Sequence, residues 1–231
     1  MKGKKQVVFK YNQLKRGSKA FVENEPRDAM YKVSTYLIKE FWGKPKDITD
    51  ALGVLLLTWN QAFYRYASFD FEELEKCLSR NMAKIERYRD RDIFSYSLND
   101  DSSIVKLFNE MLDALKTERG KSPVAVAKAL HLLAPNFFPL WDVQIAKSYH
   151  ILWYDSSEAA SKYLILMRLT QAQTEDVVKS YTEFSGLSIE EKRTALIDIC
   201  NSCSSNLPFQ KSILKIIDEY NYAKYTKNWI T

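Results

Sequence analysis

From Pro26 onward, apolar residues recur at spacings of roughly 3.6, and no segment alternates apolar with polar over a strand's length. Between Arg27 and Trp42 the repeating positions are Met30, Val33, Tyr36 or Leu37, and Phe41. Leu52 to Trp59 is apolar nearly all round, which marks a central buried helix. Phe71 to Arg91 carries Leu74, Leu78, Met82 and Ile85 on one face, and the next segment carries Ile104, Leu107, Phe108, Met111 and Leu115. A chain of 231 residues with only six Gly and six Pro has too few turn formers for a many-turned β fold. The expectation is an all-α, compact multi-helix bundle of about nine helices in two lobes.

Local punctuation places the ends. Gly43 to Pro45 ends the first helix, and Asp47 or Thr49 can cap the next, expected to reach Ala67. Asp100 to Ser103 caps another, which Gly120 is expected to close. Ser156 to Glu183, Ser188 to Ser202 and Pro208 to Lys227 read as further helices. Residues 1–20 carry Lys2, Lys4, Lys5, Lys10, Lys15, Arg16 and Lys19 and no acid, so the remainder of the +5 chain is close to neutral. Residues 1–25 therefore read as a basic arm, with a β-like run from Gln6 to Tyr11, and residues 26–231 as one domain. The arm suits a polyphosphate partner or a solvated tail equally.

Several chemistries lack their residues. No apolar run approaches the ~20 residues that span a bilayer. Met1 to Lys5 lacks the apolar core of a secretion signal, so a cytoplasmic location is expected. Cys77 is isolated, Cys200 and Cys203 form a single CxxC, and His131 and His150 are distant in sequence, so no metal is expected. Phosphate loops of the P-loop or GxGxxG type are missing, as are HExxH and Gly-x-Ser-x-Gly, and no cofactor is expected.

The segment from Ser122 to Asp142 carries the chemistry that is present. Ser122 is a strong N-cap, with Pro123 at the first helical position. Gly120 and Lys121 precede that helix, whose free N–H groups and dipole attract a phosphate oxygen. Val126, Leu130 and Leu133 give the helix an apolar face, and Pro135 and Pro139 stiffen the turn that follows. Trp141 then offers a flat surface beside Asp142, the start of a further helix, with Lys147 about a turn beyond. Asp is itself a preferred N-cap, so capping alone also accounts for a carboxylate at 142.

This arrangement resembles the helix-hairpin-helix DNA glycosylase superfamily. Phe138 to Lys147 is similar to the family's catalytic segment, and Ala127 to Leu133 to the helix that precedes it. The resemblance implies a helix-hairpin-helix-like unit that grips duplex DNA, with Asp142 serving base excision. Gly120, Lys121, Ser122, Lys128 and Lys147 would then contact the DNA backbone. Two departures stand out. The family hairpin has two glycines, whereas this chain has Gly120 alone. In the family's bifunctional members a Lys opens the second helix, but Ser122 to Val124 supplies none. The resemblance therefore implies a monofunctional enzyme, with lyase chemistry through Lys121 or Lys128 as the variant.

A second candidate cluster lies at the end of the apolar helix, where Asn60 and Gln61 interrupt it beside Trp59, Phe63 and Tyr64. An enzyme that extrudes a base must fill the gap and hold the base. Trp59, Asn60, Gln61, Tyr64 and Trp141 are the candidates for those roles, and a helix end meeting solvent is the simpler account. Arg87, Arg89 and Arg91 are interleaved with Glu86, Asp90 and Asp92, which favours a salt-bridged face over phosphate contacts. The expected activity is excision of a damaged or modified base, in repair or against phage DNA, by a monomer that touches no membrane. A non-catalytic helical DNA-binding protein and a helical scaffold are the alternatives.

Overall fold

The structure is a computed structural model and describes residues 10–186, 192–204 and 211–231. Among these residues there are eleven α-helices and no strand. They are α1 (Tyr11–Asn24), α2 (Asp28–Glu40), α3 (Pro45–Trp59), α4 (Gln61–Tyr64), α5 (Phe71–Arg89) and α6 (Asp101–Ala114). Then follow α7 (Pro123–Leu133), α8 (Val143–Ser148), α9 (Ala159–Ser185), α10 (Lys192–Cys203) and α11 (Ile213–Asn221), with a π-helical turn over Tyr222–Thr226. The two helices beyond the expected nine are α1 and the single turn of α4.

α1 corrects the reading of residues 1–25 as an arm. Tyr11, Leu14, Ser18 and Phe21 recur at helical spacing and are buried, while the lysines among them face outward. Gly17 lets α1 approach α11, since a Cβ there would stand 2.6 Å from the Cα of Tyr220. The β-like run from Gln6 falls mostly outside the described residues, and its last residue, Tyr11, opens α1.

Other boundaries follow local chemistry. Pro45 opens α3 from within, ahead of Asp47 and Thr49, because a proline at the first position loses no helical hydrogen bond. Gly120 does not close α6, which ends at Ala114; it sits at φ +128° in the tight turn that pairs Thr117 with Gly120. Arg91 pairs with Asp100 at 2.7 Å, and Arg89 lies 3.9 Å over the Trp42 ring and donates to the Leu133 carbonyl. These two arginines are thus internal struts of the fold.

α7 is the pivot, for every one of its residues is buried. His131 links it to both sides. Its Nδ1–H donates to the Phe138 carbonyl at 2.8 Å, so Nε2 accepts from the Tyr31 hydroxyl at 2.9 Å. Burial holds this imidazole down at about 3, hence neutral. The turn after α7 is packed by Phe137 and Phe138 against Tyr88.

α1, α2 and α11 enclose a charged cluster. Lys211 and Lys215 are fully buried and pair with Glu219 at 2.8 and 3.1 Å. Ser18 donates to the same carboxylate, and Lys215 lies 3.7 Å from Asp28. The rings of Phe21, Tyr31 and Trp59 surround the Lys215 ammonium at 4.0, 5.0 and 5.2 Å.

Candidate functional site

The end of α3, the start of α7, the start of α8 and Asp218 of α11 converge on a cavity of about 480 Å³. α3, α7 and α8 present residues there that satisfy a helix terminus. Ser122 caps α7 through its hydroxyl, which accepts from Ala125 N–H. The same oxygen accepts from Asn60 Nδ2 at 2.9 Å, tying the end of α3 to the start of α7. Lys128 reaches across from inside α7 and donates to the Trp59 carbonyl at 2.9 Å and to Asn60 Oδ1 at 3.2 Å. A cation at the C-terminus of α3 also satisfies the dipole there.

Asp142 lines this cavity and is half-buried. One carboxylate oxygen accepts from Ile145 N–H at 2.8 Å, the capping contact expected from sequence. The other accepts from the Thr226 hydroxyl at 2.7 Å, a contact 84 positions away that no local pattern announces. Both bonds fix the carboxylate's orientation. Trp59 is held by its indole N–H on the Arg27 carbonyl, at 2.8 Å, and its ring is stacked on Tyr31. Trp141 is buried in the cavity wall and stacked on Trp153 with centroids 4.5 Å apart.

Of the residues singled out in the sequence, Asp142, Trp59, Asn60, Trp141, Lys121, Ser122 and Lys128 share this one cavity. The remaining candidates, Gln61, Tyr64, Gly120 and Lys147, do not line it. Gln61 is exposed on α4, and Gly120 and Lys147 are exposed outside the cavity. Tyr64 is turned into the core, where its hydroxyl donates to the Leu115 carbonyl, so it has no face for a base. Lys128 is 8% exposed and engaged at the α3 terminus, which removes it from any phosphate contact. Lys121 is partly exposed and paired with Asp113 at 2.5 Å.

Three wall residues had no signal in the sequence. Asp218 stands on α11 within a run that reads as core. Glu25 and Arg27 form a fork with the Tyr222 hydroxyl at the rim. Burial raises the Glu25 carboxyl, but hydrogen bonds from Arg27 and Tyr222 outweigh it and bring the group down to about 2.

The charges along the wall hold one another in place. Burial lowers Lys128 to about 8, against the pull of Asp142 and Asp218, so the ammonium can release its proton just above neutral pH. Burial raises Asp218 to about 7, opposed by Lys215 and reinforced by Asp142 and Glu219.

A second cavity, of about 430 Å³, lies between Tyr31, Cys200 and Lys211 and contains none of the candidates. Burial pushes the Cys200 thiol up to about 12, so it is a poor nucleophile. Among the described residues no cluster of His, Cys, Asp or Glu is placed to hold a metal ion, and no helix is long and apolar enough to cross a membrane.

The chain matches no protein-family profile, no curated protein and no solved structure.

Proposed function

We propose that this protein is a DNA N-glycosylase that excises a damaged or modified base, without strand cleavage, through Asp142. The observation that carries the reading is the meeting of Asp142 with Trp59 and Trp141 in one cavity large enough for a nucleobase. In the reaction the C1′–N bond breaks with its electrons leaving on the base, a water oxygen bonds to C1′, and the proton that water gives up ends on the departing base. Positive charge builds on the sugar as the bond lengthens, and a fixed carboxylate at that point stabilises it. The two hydrogen bonds to Asp142 serve that role by keeping the anion from reorienting during the step.

The exposed Gly120–Lys121 turn and Lys147 are the candidate backbone grips, with Lys121 at the cavity and Gly120 and Lys147 beside it. Incubation with duplexes bearing damaged and modified bases, followed by alkali, tests the reading. Strand breaks that appear only after alkali support it, and Asp142→Asn should reduce the yield by at least a hundredfold. An intact broad panel, or full activity in that variant, refutes it. Salt-sensitive binding without excision would instead identify a DNA-binding protein.

A further inference from the structure

Among the described residues of the cavity wall, Asp218 is the carboxyl that no hydrogen bond holds. It is 8% exposed and contributes to the cavity wall. Among the described residues no hydrogen bond reaches its oxygens, and its nearest cation, Lys215, stands 3.9 Å away. Lys215 is engaged elsewhere, at 3.1 Å from Glu219 and over three aromatic rings. The other two carboxylates of the wall are held by hydrogen bonds, Glu25 by Arg27 and Tyr222 and Asp142 by Ile145 N–H and Thr226. A carboxyl at a cavity wall with one ion pair at 3.9 Å and no hydrogen bond keeps bonding capacity that a ligand can use.

The groups facing Asp218 set its protonation. Lys215 and Glu219 come from its own helix, Lys128 from α7, and Asp142 from the start of α8, with Glu25 and Arg27 on the same wall. Burial raises Asp218 to about 7, so both the neutral and the ionised forms are populated near neutral pH. A neutral carboxyl donates one hydrogen bond and accepts another side by side, whereas the ionised form only accepts.

We infer that Asp218 is a ligand-binding carboxyl of this cavity, and that it takes a planar heterocycle by an edge presenting a donor and an acceptor side by side. That pattern is an amide or amidine edge, as on an uncharged nucleobase. The nucleobase as ligand class rests on the base-excision reading; the open carboxyl does not.

Binding of 9-methyladenine, 1-methylcytosine and 1-methyluracil to the full chain, followed by ligand-observed NMR at pH 6 and pH 8, tests this directly. At least one should bind, several-fold more tightly at pH 6 than at pH 8. Asp218→Asn, which keeps one donor and one acceptor at every pH, should bind that heterocycle equally at both. Asp218→Leu should lose it, as should wild type when the ligand edge is blocked by N-methylation. The inference is overturned if none of the three binds, if wild-type affinity is independent of pH, or if Asp218→Asn keeps the wild-type pH dependence. Binding with these signatures in a protein that excises no base would retire the glycosylase reading and sustain this one.

Discussion

His131 and Asp218 are both buried, and their proton equilibria shift in opposite senses, so each predicts its own pH effect on stability. His131 is neutral in the fold and titrates far below its ordinary range, so the unfolded chain takes up a proton first as pH falls. Its contribution is fully present above about pH 6.5 and is lost as pH falls toward 3, at roughly 1 kcal/mol per pH unit. Asp218 acts in the opposite sense over the same range, so the test is the difference between wild type and His131→Asn in urea titrations, which should shift against wild type from pH 7 to pH 4. Asp218 is held above its ordinary range, so its contribution is fully present below about pH 4 and is lost as pH rises to about 7, where the folded group has ionised in place. Asp218→Asn should therefore stabilise the protein at pH 8 by on the order of 2 kcal/mol and have little effect at pH 4. A larger gain at pH 4 than at pH 8 would show that burial does not control this group. At this scale the sequence was legible where chemistry is local. Ser122 and Asp142 cap their helices as their residue types require. Asp218 was not legible, because its neighbours at 128 and 142 arrive from other helices.

The helices themselves were legible from periodicity wherever one face is apolar, as in α5 and α6. α1 was missed because its lysines dominate the composition while its buried face depends on Gly17, a residue that usually weakens a helix. Here Gly17 permits the contact with α11. Gly17→Val should cost several kcal/mol, about 2 or more by the precedent of overpacked cores, because the obstructing atom is backbone. A thermal melt little changed from wild type would mean that α1 and α11 can separate without loss. α7 misled in a different way. Its spacing predicted one apolar face, yet all faces are covered, which is why Lys128 read as a surface cation.

Taken whole, the molecule gathers its fully buried lysines and their carboxylates where its earliest and latest described helices meet. Ser18 of α1, Asp28 of α2 and Lys211, Lys215 and Glu219 near the far end of the chain form one cluster. Removing one partner strands buried charge, so Glu219→Ala should destabilise by about 3–5 kcal/mol, measured by chemical unfolding. For the same reason, deletion of residues 1–20 would not simply subtract charge. It would take Ser18 from Glu219 and Tyr11 and Leu14 from the core. Circular dichroism should show loss of cooperative folding in that truncation, and a cooperative transition at the wild-type temperature would contradict it. The class of fold was open to a reader of the sequence because helical periodicity is written into each segment. The cavity was half open: its α3, α7 and α8 walls come from residues whose types advertise a role, while α11 and the Glu25–Arg27 fork join only through tertiary packing.

The stacked pair of Trp141 and Trp153 has an optical consequence. Two indoles 4.5 Å apart and inclined by 29° couple their electronic transitions, so this wall of the cavity should carry an exciton couplet in circular dichroism. Trp153→Phe would abolish the couplet and leave the helical bands in place. Followed on heating or on addition of a heterocycle, it would report the wall itself, separately from the melting of the bundle.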